Sequence, residues 1–368
     1  MLFDNLLLAY VLMALVVAMI VSFLMTPVVK TFAYKVGAID VPKDNRRMHK
    51  EPIPRLGGLA IFIGFMVSIL LFVPITPEMK SILLGAVIIV VLGVVDDIMA
   101  LPAMLKFIVQ IVAASIPATH GVTILAFSNP NIFSDNLYWV LGSLSVPFTV
   151  IWIVAITNAV NLIDGLDGLA NGVSAISATT MLVIALMVNQ EVAVVMAALV
   201  GACVGFMPYN LNPAKMFMGD TGATFLGFIL ATMSIQGLFK YYAVISFVVP
   251  FLILGLPIFD TAFAFIRRIA HGQSPMHADR SHIHHRLIDM GLNQKQAVAT
   301  LYVISAILGL SAVVLTTGGE EKAMLLFAAL CIVAVVAARV VFPKEVQQEL
   351  HDELEELKHH DHKKDEDK

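Results

Sequence analysis

Eleven apolar runs, near residues 5–26, 56–75, 81–97, 103–119, 139–158, 169–188, 191–209, 221–238, 243–266, 297–316 and 323–342, have interiors almost free of charge and are joined mostly by short polar segments. A bilayer core about 30 Å thick needs roughly 20 helical residues to cross. Lipid offers the backbone no hydrogen-bond partner, which leaves helices or closed barrels as the spanning structures. The pattern predicts an all-α polytopic membrane protein of about eleven transmembrane helices, some broken by Pro117, Pro147, Pro250 and Pro257. Composition agrees: 59% of the residues are hydrophobic and 14% charged, against about 25% charged in a soluble domain. Disordered chains, nucleic-acid binders and ordinary soluble enzymes are excluded. The first run lacks a basic n-region and carries Asp4, so it is expected to be a retained helix and not a cleaved signal. Cys203 and Cys331 both lie in apolar runs and are expected to be packing residues.

An odd number of spans puts the two ends on opposite sides of the membrane. Of the 23 Lys and Arg, only Lys80, Lys240 and Lys322 fall on one side of the eleven-span arrangement. The positive-inside rule then places the N-terminus outside and the C-terminus in the cytoplasm of a multi-pass cell-membrane protein. Residues 1–343 form the membrane domain. Residues 344–368 form a charged, His-rich tail that carries 10 of the 27 acids and accounts for the net charge of −4. The loop from His120 to Tyr138 contains a β-type run, Val122 to Phe127, followed by Ser128-Asn-Pro-Asn131, and is expected to form a small hairpin.

The acids separate two classes of function. Asp96, Asp97, Asp164, Asp167 and Asp220 gather at the ends of spans on the predicted cytoplasmic side, and Asp260 lies a little deeper. A transporter is expected to place buried polar groups near the midplane. An enzyme joining a soluble substrate to a lipid headgroup needs its chemistry at one interface, and this distribution favours the enzyme. Four of the aspartates stand at predicted helix C-termini, against the macrodipole, which implies a bound cation or basic partners.

Three motifs carry the chemistry. Asn158-Ala-Val-Asn161-Leu-Ile-Asp164-Gly-Leu-Asp167-Gly168 places polar residues every third position, a stripe if the helix continues. Its alternative reading is a cap and turn. Met218-Gly-Asp220-Thr221-Gly222 opens the eighth span, with Asp220 or Thr221 as N-cap or Asp220 as a Mg²⁺ carboxylate beside a helix N-terminus that favours phosphate. His277-Ala-Asp279-Arg280-Ser-His282-Ile-His284-His285-Arg286 suits a polyphosphate clamp; a zinc site and a basic patch on anionic lipid are its alternatives. Lys106, ten residues after Asp96, reads on its own as a positive-inside anchor.

These motifs, with Arg55-Leu-Gly-Gly58 and Gly93-Val-Val-Asp96-Asp97, resemble the polyprenyl-phosphate N-acetylhexosamine-1-phosphate transferases over about residues 5–340. The run Asp279-Arg-Ser-His-Ile-His-His285 resembles the branch using UDP-N-acetylglucosamine and undecaprenyl phosphate, most closely the enzymes that initiate wall teichoic acid. The branch using a pentapeptide sugar nucleotide is the alternative within the family; a transporter or flippase is the alternative outside it. The resemblance implies release of UMP and Mg²⁺ (or Mn²⁺) held by Asp220 and Asn161. It makes Asp96, Asp97, Lys106 and Asp164 the candidate catalytic group, and it alone implies that Lys106 contacts phosphate. Asn158, Asp167, Arg280, His282, His284, His285 and Arg286 become candidate substrate-binding residues, with Asp167 near the uracil. The expected partners are the two substrates and the bilayer, with no nucleic acid; a homodimer is left open. A phosphate monoester is mostly dianionic at pH 7, so an obligatory general base is not required and Asp96 is expected to orient Lys106, the metal or the incoming phosphate. A covalent aspartyl-phosphate on Asp96 or Asp97 is the other route.

Overall fold

The computed structural model describes residues 5–41, 52–128, 138–239, 248–270 and 282–318, and the isolated positions 322, 326 and 328. In chain order the helices are α1 (Asn5–Val36), α2 (Gly57–Phe72), α3 (Pro77–Met99), α4 (Ala103–Thr119), α5 (Ser145–Leu162), α6 (Leu169–Val188), α7 (Gln190–Asn210), α8 (Gly219–Ser234), α9 (Val248–Ile253), α10 (Gly255–Ala270), α11 (Ile283–Asp289) and α12 (Gln294–Gly318). Among the described residues, α1, α3, α5, α6, α7 and α12 are long and apolar enough to cross a membrane, while α2 and α4 are shorter apolar helices. The protein is a helical polytopic membrane protein.

Two expected spans come out differently. The fifth begins at Ser145 and not 139, because Tyr138–Val140 (β4) pairs antiparallel with Ala126–Ser128 (β3) and a 3-10 turn follows. Trp139 and Val140 raised the local hydropathy as strand residues. The pair overlaps the expected hairpin only at Ala126–Phe127; Val122–Leu125 are not strand. The ninth is split at Leu254 into α9 and α10, between the two prolines. The eleventh span and the tail lie outside the described residues, apart from the isolated positions. A second small pair, Ile39–Asp40 (β1) with Ile53–Pro54 (β2), joins the end of α1 to the start of α2.

Apolar lipid gives helices no hydrophobic reason to associate, so membrane bundles close on small residues. The buried stripe of α1 is Ala14, Ala18, Ser22, Thr26, Val29 and Ala33. Opposite it, Gly201 and Gly205 of α7 approach so closely that a Cβ would lie 2.0 Å from the Leu15 carbonyl oxygen or 2.2 Å from that of Met19. Ser22 and Ser68 donate to the backbone oxygens of Ala202 and Ala14, both at 2.8 Å. At the centre stands α8, where every residue except Asp220 is buried. Gly58 of α2 and Gly93 of α3 lie against its first turn, where a Cβ would meet Gly222 at 2.0 Å or Thr221 at 2.4 Å. These contacts pull the ends of α2, α3 and α8 into one cluster.

Candidate active site

The start of α8 lines a cavity of about 1000 Å³ at one end of the bundle, and Asp96, Asp97 and Lys106 stand off its wall. Its walls come from the C-terminal ends of α1 and α7, the turn after α5, the starts of α8 and α12, and α11. Helices that alternate in direction bring their aspartate-bearing ends together. The cavity lies at the helix ends and not at mid-bundle.

Adjacent aspartates at the end of α3 have different partners, because successive helical residues point about 100° apart. Asp96 accepts from the Leu101 amide at 2.7 Å and from Lys106 Nζ at 2.9 Å. The same ammonium lies 3.1 Å from Asp220 Oδ2, so Lys106 bridges two carboxylates from α3 and α8. Asp97 turns inward. It accepts from the backbone amides of Asp220 and Thr221, both at 3.0 Å, and from the Thr221 hydroxyl at 2.7 Å. Asp97 is the N-terminal cap of α8, supplied from another helix. Neither Asp220 nor Thr221 is that cap, contrary to expectation. At the end of α3 Asp97 opposes one dipole, but at the start of α8 it complements another. Two of the first amides of α8 are thereby committed to Asp97 and not offered to a phosphate.

The polar stripe expected along α5 ends early. The helix stops at Leu162, and Asp164 and Asp167 occupy the following turn. Asn161, Asp164 and Asp167 all line the cavity, as does Asp220. Burial pushes the Asp164 carboxyl up to about 7; the negative charge of Asp220 adds to this, Arg55 opposes it, and Asp97 and Asp167 contribute further repulsion. Asp167 braces the loop before α8, accepting from Asn212 Nδ2 at 2.9 Å and the Ala214 amide at 3.0 Å. Asn158 does not line the cavity: its amide donates to Gln110 Oε1 on α4 at 2.6 Å and to the Val154 carbonyl at 2.8 Å.

The histidine motif is divided in the same way. Asp260 of α10 accepts from His282 Nδ1 at 2.8 Å and from the Ile283 amide at 2.7 Å, capping α11. The His282 ring stacks on His284 with 6° between planes, and His284 leans on His285 at 4.3 Å. The His284 Nε2 faces Gly165, where a Cβ would come within 2.1 Å. Burial, reinforced by the charge of His285, lowers the His284 pKa to about 4. Of the described histidines in the motif, His285 alone lines the cavity; Arg286 is not on its wall, and His282 and His284 are internal supports. Arg280 lies outside the described residues.

Three cavity cations, Lys30, Arg55 and Lys215, come from basic segments that read in the sequence only as topology signals. Arg55 enters the cavity and lies 3.7 Å from Asp97 Oδ1; its amide bonds to the Ala38 carbonyl beside the β1–β2 pair. Lys30 reaches the cavity because α1 continues past Pro27. The signal for Arg55 was its place directly before Leu56-Gly57-Gly58.

Among the described residues no three His, Cys, Asp or Glu side chains are grouped as a metal cage. The cavity does hold a surplus of carboxylate: Asp40, Asp164, Asp167, Asp220 and Asp289 against Lys30, Arg55 and Lys215. Such oxygen donors suit a hard cation that completes its shell with water and substrate.

The glycosyl transferase family 4 profile matches residues 79–238. Over 307 residues the chain is 42% identical to the probable undecaprenyl-phosphate N-acetylglucosaminyl 1-phosphate transferase of Bacillus subtilis, covering 83% of this chain and 85% of that one. It is 32% identical to the decaprenyl-phosphate N-acetylglucosaminephosphotransferase of Mycolicibacterium smegmatis, covering 80% and 79%. It is 28% identical to the undecaprenyl-phosphate alpha-N-acetylglucosaminyl 1-phosphate transferase of Escherichia coli O157:H7, covering 75% and 76%. The chain belongs to glycosyl transferase family 4, the family of polyprenyl-phosphate N-acetylhexosamine-1-phosphate transferases.

Proposed function

We propose that this protein transfers N-acetylglucosamine 1-phosphate from UDP-N-acetylglucosamine to undecaprenyl phosphate and releases UMP. The product begins a cell-envelope polymer, with wall teichoic acid the first candidate. The reading carries with it eleven spans, an outside N-terminus, a cytoplasmic cavity and a cytoplasmic tail, the arrangement the basic loops favour. The observation that carries it is the Lys106 bridge between Asp96 and Asp220 at the edge of a cavity large enough for a nucleotide sugar. A cavity at the helix ends also suits a reaction between a cytosolic donor and a lipid headgroup better than transport does.

An oxygen of the acceptor phosphate attacks the phosphorus that bears the sugar. The new P–O bond forms as the bridging P–O bond to UMP breaks, and UMP leaves with that electron pair. Such transfers are driven mainly by positioning and charge neutralisation. Lys106 supplies a positive charge next to the reacting phosphates, and Asp96 holds its ammonium in place. Arg55 and Lys30 add positive charge along the cavity. Asp97 sets the first turn of α8, and so Asp220, without touching substrate. Asp167 shapes the loop before α8 toward the nucleotide base, and His285 faces the pyrophosphate.

Asp220 and Asn161 would hold Mg²⁺ or Mn²⁺, with Asp164 beside them. The fit rests on Asp164, which is close enough to Asp220 and Asp167 to feel their charge and has no side-chain hydrogen bond to the described residues. The ion would neutralise phosphate charge when bound.

The test is UMP release by purified protein given undecaprenyl phosphate and each UDP-sugar in turn. Turnover is expected with UDP-N-acetylglucosamine, to vanish on chelation and to return with Mg²⁺ or Mn²⁺. Asp220→Asn is expected to lose most of it. Normal turnover by that variant overturns the metal assignment, and UMP release from the pentapeptide donor alone overturns the substrate.

A further inference from the structure

Lys106 sits in the part of α4 least supported by the rest of the bundle. Met104, Leu105, Phe107 and Ile108 all face outward, and the first buried side chain of α4 is Gln110, at 3% exposure. On the α3 side the helices meet at Gly85, whose Cβ position lies 2.8 Å from the Ala113 carbonyl oxygen. Nearer Lys106 an apolar groove of about 380 Å³ opens along their surface, lined by Val87, Val91, Val95, Leu101, Leu105 and Val109. Neither outward residues nor an open groove can hold the start of α4 in register.

Besides the Lys106 bridge itself and the Leu101–Asp96 bond in the turn before it, one polar contact ties this part of α4 to α5. Gln110 lies one turn beyond Lys106, so the two side chains share a face of α4. Its Oε1 accepts from Asn158 Nδ2 at 2.6 Å. Asn158 is anchored in turn by its second donation to Val154 within α5, and it stands one residue short of a full turn before Asn161. The bond therefore ties the helix carrying Lys106 to the helix carrying Asn161, about one turn inside the cavity on each. We propose that Asn158 and Gln110 are positioning residues: their amide bond holds α4 against α5 so that the Lys106 ammonium stays between Asp96 and Asp220. Asn158 then takes its place in the Asn158–Asp167 motif by acting through another helix, without touching substrate.

The consequence for turnover rests on the transferase reading; the position of Lys106 does not, and the two are read separately. Asn158→Leu and Gln110→Met keep the side chains near their original volumes and suit a membrane interior. Interhelical side-chain bonds contribute modestly to the stability of membrane bundles, so both variants are expected to elute as the wild-type protein does. The first readout is the rate at which sulfo-NHS-acetate acetylates Lys106 in the full-length protein, followed by peptide mass spectrometry. The rate is expected to rise severalfold in either variant, because a released ammonium is no longer enclosed by two carboxylates. The second readout is steady-state kinetics. A misplacement near 1 Å costs up to about 10²-fold in rate, and kcat is expected to fall on that scale while KM for UDP-N-acetylglucosamine stays within about twofold. The double variant should be no worse than the poorer single one, and the exchange Asn158→Gln with Gln110→Asn should recover both readouts. Unchanged acetylation in the two single variants overturns the proposal, whatever turnover does. Faster acetylation with full turnover upholds the clamp and overturns the role given to Lys106 in catalysis.

Discussion

Replacing each member of the Asp96–Asp97 pair by asparagine should produce two different proteins. Asp97 receives three donors: the amides of Asp220 and Thr221, both at 3.0 Å, and the Thr221 hydroxyl at 2.7 Å. Asparagine presents one oxygen and one NH₂, so at least one amide at the start of α8 faces a donor instead of an acceptor. Losing a side-chain cap costs about 0.5–2 kcal/mol, and leaving a buried donor unsatisfied costs about 1–3 kcal/mol. Together these put Asp97→Asn near 3 kcal/mol. Asp96→Asn retains an acceptor for Leu101, and Lys106 keeps Asp220 as a partner, so the cost is about 1.5 kcal/mol, the lower end for a hydrogen bond to a charged group. Thermal unfolding of both variants in one detergent, beside UMP release, is the assay. Asp97→Asn should unfold several degrees below wild type. Asp96→Asn should fall less far but turn over slowly. Equal midpoints for the two variants, or a lower one for Asp96→Asn, would refute the division of roles.

Two other perturbations test the supports of the cavity. Gly165→Ala puts a methyl group 2.1 Å from His284 Nε2, so the histidine segment must move. Turnover should drop about 10²-fold, and Gly165→Ala combined with His284→Ala should recover part of it. His284, with a pKa near 4 in the fold and about 6.5 when unfolded, binds more protons unfolded than folded between those values. Its contribution to stability is present above pH 6.5 and lost as pH falls through 4, a difference of about 3 kcal/mol. The raised Asp164 pKa acts in the opposite sense, so the measurement is the difference between wild type and His284→Phe. Wild type should lose more stability than the variant between pH 7.5 and 4.5, and parallel curves would reject the buried neutral ring.

Much of the site was legible from residue types alone, while the function of each residue within it was not. Asn161, Asp164, Asp167, Asp220 and His285 line the cavity, while Asp96, Asp97 and Lys106 are off its wall. Asn158 and His284 belong to the same motifs yet point into protein, because a spacing of three marks one face only while a helix lasts, and α5 ends at Leu162. Arg55 passed for a topology charge because its partner, Asp97, is distant in sequence.

Hydropathy by itself determined that the chain is a helical membrane protein and where most of its helices lie, since lipid tolerates no unpaired backbone and so forces an apolar helix of known length. It also gathered the acids at one set of helix ends. Only the tertiary structure decided what those acids do. Asp96 and Asp97 are neighbours with the same chemistry, but they leave their helix in directions about 100° apart. One meets Lys106 and the other the first turn of α8. Which partner waits in each direction depends on glycines at positions 58 and 93, which let α2 and α3 approach α8 more closely than any larger side chain would permit.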